Sequence, residues 1–304
     1  MRTTITVLAA LLLGSAVTST HAGLVGPAAA YNAFVFGDFT SSGTDAVGNL
    51  AAGGNVSLKS YSVASGISGS SARLVAGGTV TATYGGVGAG QNGTIYAGGT
   101  TELTDFTAKG GVQTQNLVDF GGAESQYKKL STSLGALAAN GSSSVIYGSL
   151  NLTGTNTDLN IFSVSGNDLT NTNSIYIDAA AGSTVLINVT GSGQVFQNGQ
   201  VFLTGVDSAN VIYNFSDAET LSLKGSKNPL GTVFAPFADV TGSGALDGQL
   251  IAKSFNGNTE FHNVSFEGNL TTVPIPAAVW LFGSALGLVG GIARAGGRPK
   301  REAR

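Results

Sequence analysis

Three segments of this chain share one pattern: a short strand-like run, an Ala-Gly-Gly corner and a second strand-like run. Their central alanines are Ala52, Ala76 and Ala97, which lie 24 and 21 residues apart. A repeat of about twenty residues with glycine corners is typical of a β-solenoid, in which each coil stacks on the previous one. Glycine supplies the positive φ or the tight bend that such a corner needs. The repeat therefore predicts an all-β chain built as a β-solenoid (β-helix), and a β-sandwich with similar hairpins is the alternative.

Residues 122–139 break this β pattern. Tyr127, Leu130, Leu134 and Leu137 recur at helical spacing, and Asn140-Gly141 follows as a helix stop. We expect one amphipathic helix of about four turns, with its apolar stripe packed alongside the β-body. A helix that binds a partner is the alternative. Short strands separated by Gly-, Asn-, Asp- and Ser-rich turns continue beyond it without a linker, so residues 23–272 are expected to form one domain.

Both ends of the chain carry targeting patterns. A charged Met1-Arg2, an apolar run over residues 5–17 and a Thr20-His21-Ala22 site have the order of a secretory signal peptide, so residues 1–22 are expected to be removed. A retained anchor is the alternative. Residues 275–293 contain no charge and have about the length of a transmembrane helix. Five basic residues follow, which predicts a cytoplasmic C-terminus and an external body. A buried C-terminal helix of a soluble domain is the alternative.

A short proline motif precedes the apolar span, and its residues are Val273, Pro274, Ile275, Pro276 and Ala277. Motif, span and basic tail together resemble the PEP-CTERM sorting signal of Gram-negative bacteria in its VPLPA-type variant, with Ile275 where leucine is usual. The resemblance implies recognition by an exosortase, a transient inner-membrane anchor, and cleavage near the motif. Residues 273–304 are therefore expected to be a sorting signal that delivers the protein to the cell surface or the biofilm matrix.

The body carries a second resemblance. Its opening block includes Gly48-Asn-Leu-Ala-Ala-Gly-Gly-Asn55, and its closing block includes Leu230-Gly-Thr-Val-Phe-Ala-Pro-Phe-Ala-Asp239. Both are similar to blocks of the choice-of-anchor A family, although Phe237 stands where that family often has Asn. The resemblance implies an adhesive module of β-helical type that is followed by one of several surface anchors. It supplies no catalytic residues.

Charge and cysteine content exclude several classes of protein. Residues 23–272 contain eight Lys or Arg against sixteen Asp or Glu, a net charge of −8. An acidic body argues against a nucleic-acid partner, because nucleic-acid binding needs a basic surface. The chain has no cysteine, so no disulfide framework holds the exported fold. Burial of apolar side chains and backbone pairing must hold it instead.

Few residues are candidates for chemistry. His262 is the one histidine left once His21 is removed, and Glu260 shares its strand face. An acid–base pair is one interpretation, but a structural pair in the last coil is favoured. One histidine and no cysteine disfavour zinc, and no metal site is predicted. Calcium held by carboxylates near Gly-rich turns is the alternative, and its candidates are Asp38, Asp45, Asp105, Asp119, Asp239 and Asp247.

These observations favour a non-catalytic adhesin or matrix component that binds extracellular polysaccharide or another surface ligand. A carbohydrate-active enzyme with two paired carboxylates is the first alternative. An ice-binding protein is the second, because Thr79, Thr81 and Thr83 alternate along one strand. That array is short, and ordinary strand propensity explains it.

Overall fold

A computed structural model describes residue 24 and residues 26–191, 194–195, 199–223 and 228–270. The predicted signal peptide, the proline motif at residues 273–277 and the predicted transmembrane span at 275–293 lie outside these residues. Within the described part of the chain, no helix is long and apolar enough to cross a membrane.

The described residues form 21 strands and two α-helices, which confirms a mostly β fold. The strands are β1 (Ala33–Val35), β2 (Phe39–Ser42), β3 (Asp45–Ala46), β4 (Leu50–Ala52), β5 (Val56–Val63), β6 (Arg73–Ala76), β7 (Val80–Val87), β8 (Thr94–Ala97), β9 (Thr101–Thr107), β10 (Val112–Thr114), β11 (Ser142–Ile146), β12 (Ser149–Thr153), β13 (Leu159–Ser165), β14 (Ser174–Asp178), β15 (Thr184–Thr190), β16 (Gln194–Val195), β17 (Gln200–Thr204), β18 (Val211–Asn214), β19 (Thr220–Leu223), β20 (Thr232–Asp247) and β21 (Leu250–His262). The helices are α1 (Phe120–Gly135) and α2 (Gly166–Asn171).

Almost all strand pairs are parallel and in register. One layer runs β13–β15–β18–β20–β21–β1–β4–β6–β8–β10, and α1 covers its outer side. A second layer runs β16–β19–β20–β21–β2–β5–β7–β9. The later parts of β20, β21, β5, β7 and β9, with β3, form a third. The apolar core lies between the layers.

The predicted repeat register is confirmed. Ala52 pairs with Ala76, and Ala76 pairs with Ala97, in adjacent parallel strands. The corners need glycine, as expected, but positive φ is not the reason. Gly77 is not among the glycines with positive φ. A Cβ added there would instead overlap the carbonyl oxygen of Gly53 in the neighbouring unit. We call each such unit of successive strands joined by a corner a coil. The corner needs glycine because successive backbones approach closely, not because of a left-handed conformation.

The chain order along the stack is discontinuous. Strands β1 to β10 build outward from the middle, and α1 then returns along the flank. The remaining strands build back toward the middle, where β21 pairs with β20 on one side and with β1, β2 and β3 on the other. Two buried amides bind across this seam. Asn32 Nδ2 donates to the carbonyls of Gly248 (2.9 Å) and His262 (2.8 Å), and Gln249 Nε2 donates to that of Tyr31 (2.8 Å).

Helix α1 packs along the flank, as predicted. Tyr127 and Leu134 are fully buried, and the Tyr127 hydroxyl accepts a hydrogen bond from the Ala28 N–H at 3.0 Å. Burial raises the pKa of Tyr127 to about 12. A large apolar side chain buried in this way stabilises a fold by roughly 1.5–3 kcal/mol. The buried side chains of α1 pack against the outer side of the first layer.

The predicted bounds of α1 are wrong at both ends. The helix begins at Phe120, because the Asp119 side chain caps it by accepting from the Gly122 N–H at 3.0 Å. It ends at Gly135 instead of reaching Asn140. The Asn140 side chain binds the edge of β13, accepting from the Ile161 N–H at 2.7 Å. The second helix, α2, was not predicted, because six residues are too few to show a helical period.

Candidate binding surface

One outer surface carries a regular array of polar side chains. It is the outer side of the second layer, from β20 to β9, and we call it the polar face. Side chains alternate along these strands, so that every second residue points away from the core. Its main row has one exposed residue per strand, each paired in register with the next: Thr241, Asn256, Thr40, Ser57, Thr81 and Glu102.

A second row lies two residues further along the same strands. It includes Ser42, Lys59, Thr83 and Thr104, which are paired in register. Neighbouring parallel strands lie about 4.8 Å apart, and alternate residues of one strand lie about 6.6 Å apart. The polar face therefore presents hydroxyl and amide groups on a near-regular grid. The predicted Thr81 and Thr83 belong to this grid, but its extent across six strands was not predicted.

The corner beside the polar face is held by a ladder of side chains. Asp38 Oδ1 accepts from the Asn55 N–H at 2.7 Å, and Asn55 Oδ1 accepts from the Thr79 N–H at 2.9 Å. The Thr79 and Thr100 hydroxyls lie 3.3 Å apart. Each side chain thus binds the backbone or side chain of the next coil, which keeps the coils in register. Asp38 and Thr79 serve this corner, and neither is part of the main row.

A shallow groove lies where the seam meets the polar face, lined by Asp38, Thr40, Asp239, Lys253, Ser254 and Asn256. Lys253 Nζ donates to Asp239 Oδ2 at 2.7 Å, and Ser254 Oγ donates to Asp239 Oδ1 at 2.6 Å. The hydrogen bond from Lys253, followed by that from Ser254, lowers the pKa of Asp239. The hydrogen bond to Asp239 raises the pKa of Lys253. Both side chains are about half exposed, so water screens the pair and it adds little stability.

The predicted pair Glu260 and His262 is brought together, and a third residue joins it. Glu260 Oε1 lies 3.3 Å from His262 Nε2, while Asp247 Oδ1 contacts Nδ1. Asp247 is also bound by Asn228 Nδ2. Strand pairing places Asp247 directly beside His262, a relation that neither local sequence reveals. Burial acts to lower the pKa of His262, but hydrogen bonds and charge from Asp247 and Glu260 outweigh it and raise that pKa.

This cluster has the geometry of a structural ion pair. Both ring nitrogens of His262 face carboxylate oxygens, so neither is free to accept a proton from a nucleophile. The six calcium candidates do not converge on one site, although Asp38 and Asp239 both line the groove. Asp119 caps α1, Asp45 accepts from Ser65 Oγ at 2.5 Å, and Asp105 lies within β9 with a left-handed φ of 50. In the part of the chain that the structure describes, no group of three or more His, Cys, Asp or Glu could hold a metal ion.

A different surface is formed by the four-stranded sheet β11–β12–β14–β17. Tyr176 and Phe202 lie side by side on adjacent strands, with ring centroids 4.9 Å apart and planes 11° apart. They are 43% and 41% exposed. Asn151 continues their row on β12. Sequence reasoning did not predict this pair, because its members are 26 residues apart and meet only through long-range strand pairing.

The chain matches one known protein family and is weakly similar to two solved structures. Residues 24–263 match a family described as "Putative Ice-binding-like adhesive domain". Among solved structures, an ice binding protein from an Antarctic Biological Consortium is 15% identical, with 77% of this chain and 86% of that chain covered and a TM-score of 0.37. The ice-binding protein from the Antarctic ascomycete Antarctomyces psychrotrophicus is 13% identical, with 78% and 96% covered and a TM-score of 0.32. A search of curated proteins found no match.

The structural similarity is low, and the family match alone carries the assignment. That match spans the whole described β-body from before β1 to the end of β21. It agrees with the expected adhesive module. The chain therefore belongs to the family of ice-binding-like adhesive domains.

Proposed function

We propose that this chain is an exported, non-catalytic adhesive domain whose polar face binds a neutral, hydroxyl-rich polysaccharide of the extracellular matrix. The observation that carries the proposal is the main row, in which six paired strands each present one exposed polar side chain. Side chains on paired strands lose little further freedom when a ligand binds, so a pre-organised row binds a repeating polymer at low entropic cost. An extended polymer can contact several strands at once.

The architecture that supports this surface is, in the proposal, a β-solenoid. Successive residues of β20 and β21 pass through all three layers, and β5 and β7 each pass through two. The close approach of Gly77 to Gly53 fits coils stacked at one strand spacing. A stack of coils holds the polar rows straight, which an independent pair of sheets would not do.

Charge favours a neutral ligand. The body of residues 23–272 has a net charge of −8, which repels acidic polysaccharides and other polyanions. Lys59 and Lys253 are the basic residues of the polar face and groove, and Lys253 is paired with Asp239. Neutral sugars need hydroxyl and amide partners, which the main row supplies.

Ice is the second candidate ligand. The specific observation for it is the near-regular grid that includes Thr40, Thr81 and Thr83. Charged side chains interrupt the grid at Lys59 and Glu102. These charges are strongly hydrated, which favours a hydrated polymer over a flat crystal surface. We therefore place ice second.

Export completes the proposal. An adhesive domain acts outside the cell, and the signal peptide at residues 1–22 delivers it there. The motif at residues 273–277 directs exosortase processing, and the span at 275–293 holds the precursor in the inner membrane until then. The supporting observation is the order of motif, apolar span and basic tail in the sequence.

A binding screen tests the proposal. The full chain is presented to immobilised neutral and acidic polysaccharides, to matrix proteins and to growing ice. We expect retention on neutral polysaccharide, little on acidic polymers, and no hydrolysis of any of them. Retention only on ice crystals would replace the first candidate with the second. Release of sugar products by the purified chain would contradict the non-catalytic role.

A further inference from the structure

The outermost strand of the four-stranded sheet has an unpaired edge. Strand β11 pairs antiparallel with β12, and no other described strand pairs with it. All five of its residues are exposed. They include Val145 (48%) and Ile146 (51%), and Tyr147 at the following turn is fully exposed. Its free edge presents backbone N–H and C=O groups that a further strand can pair with.

Charge distinguishes this edge from the opposite end of the molecule. At that end, β9 carries Glu102 and Asp105, and Lys109 lies between β9 and the second edge strand, β10. Charges at or beside an edge are the usual protection against pairing. Residues 130–157 contain no charged side chain, and β11 lies within them. The rest of the body is acidic. Two copies of this chain therefore repel each other over most of their surfaces but can approach at β11.

We propose that β11 pairs antiparallel with β11 of a second copy, giving homotypic contacts between adhesive domains. A two-fold axis through Ser144 places Ser144 opposite itself, and Ser143 opposite Val145 of the other copy. Ser144 already lies in the row of Asn151 and Tyr176. The two-fold pairing joins this row to its counterpart and makes one eight-stranded sheet. The interaction uses a different surface from the polar face and does not depend on polysaccharide binding.

The contact made by one strand edge is small. A strand of five residues is about 17 Å long. A stable interface usually buries about 800 Å² per partner, which one strand edge and its flanking side chains do not reach. The pairing is therefore weak for molecules in dilute solution. Many copies on facing cell surfaces raise the effective concentration, so that weak contacts together hold cells to one another.

Cysteine substitution tests the pairing, since the chain has no cysteine of its own. Directly opposed residues of antiparallel strands have Cα atoms about 4.5–5.5 Å apart, within the range that a disulfide bridges. The full chain with Ser144→Cys should form a covalent dimer under mild oxidation at high protein concentration. Ser142→Cys tests the register, because the two-fold axis places residue 142 of one copy about 13 Å from residue 142 of the other. Val112→Cys, at the exposed edge strand β10, is the matched control.

We expect dimers with Cys at position 144 at least tenfold faster than at positions 142 and 112. Equal rates at all three positions, or no dimer at 144, would overturn the proposal. The second measurement is cell–cell aggregation with Val145→Lys, which adds a charge to the edge, against Val112→Lys. Aggregation should fall only for Val145→Lys, while polysaccharide retention stays unchanged in both. Unchanged aggregation would also count against β11 pairing, whatever the outcome of the polysaccharide screen.

Discussion

Glycines bring neighbouring backbones into close contact in both the amino-terminal and the carboxy-terminal coils, but the carboxy-terminal coils add side-chain contacts to α1. In the amino-terminal coils, glycine corners let one backbone rest on the next, as Gly77 does on Gly53. In the carboxy-terminal coils, buried amides connect the strands to α1. Asn214 Nδ2 donates to the Ser131 carbonyl at 3.0 Å, and Asn188 Nδ2 donates to the Leu134 carbonyl at 2.7 Å. The amino-terminal contacts lie in a shared Ala-Gly-Gly corner and are visible as a sequence repeat, whereas the carboxy-terminal contact of Gly205 with Ala179 has no such corner.

The difference also shows on the outer surfaces. The regular coils keep hydroxyl-bearing residues in line, as in the step from Ser57 to Thr81. The irregular coils carry the stacked Tyr176 and Phe202 and the unpaired strand β11. In our two proposals, the regular coils bind the repeating ligand and the irregular end makes the contact with a second copy.

The largest effect is expected for Gly77→Val. The added side chain would overlap the Gly53 carbonyl, which belongs to the backbone and cannot move aside without shifting a coil. We expect a loss of about 3 kcal/mol in the free energy of unfolding, at the upper end for overpacking. Gly121→Ala in α1 is the control, since only the Asp119 side chain approaches that Cβ, at 3.8 Å. It should stabilise the protein slightly. Equal melting temperatures for both variants would contradict the role of close coil contact.

Asn214→Ala should have the next largest effect. Asn214 is fully buried and also binds Asn188 Oδ1 at 2.8 Å, so its loss leaves several buried polar groups without partners. The expected loss of stability is about 2 kcal/mol. Asn258→Ala, at an exposed position, should change stability by less than about 0.5 kcal/mol. Chemical denaturation measures both, and a harmless Asn214→Ala would show that the amides do not hold α1 in place.

His262 gives a smaller and pH-dependent effect at the seam. Its pKa in the folded protein is raised above 6.5, so the protonated ring stabilises the fold. This stabilisation is complete below the unfolded pKa and disappears as pH rises through the raised folded value. The melting temperature of the wild type, relative to His262→Gln, should therefore fall as the pH rises above about 6.5. A difference that grows with rising pH would contradict this sign.

The smallest effect is expected for Tyr84→Gly, in the amino-terminal coils. Tyr84 has φ 55, a left-handed conformation that costs a side chain energy and that glycine adopts freely. Its side chain is 54% exposed, so little packing is lost. We expect a gain of roughly 0.5 kcal/mol. The neighbouring Thr83→Gly, in extended backbone, should instead lose about as much, and thermal melts that rank the two variants in the reverse order would count against this account.

Sequence reasoning succeeded where the determining contacts are local or periodic. The register of Ala52, Ala76 and Ala97 and the buried stripe of α1 both follow from spacing along the chain. It failed where residues meet through long-range pairing. The main row joins Thr40 to Asn256, more than 200 residues apart, because β21 returns to the middle of the stack. The contact of His262 with Asp247 likewise depends on long-range pairing, here of β21 with β20.

The central claim is that the main row of the polar face binds a neutral polysaccharide. The most direct measurement compares the affinity of the full chain carrying Thr81→Lys with that of Thr153→Lys, the same change at an exposed outward position of the four-stranded sheet. The account predicts that Thr81→Lys weakens binding at least tenfold, a change of about 1.4 kcal/mol, while Thr153→Lys leaves it unchanged. Equal affinities for the two variants, or a loss confined to Thr153→Lys, would contradict it.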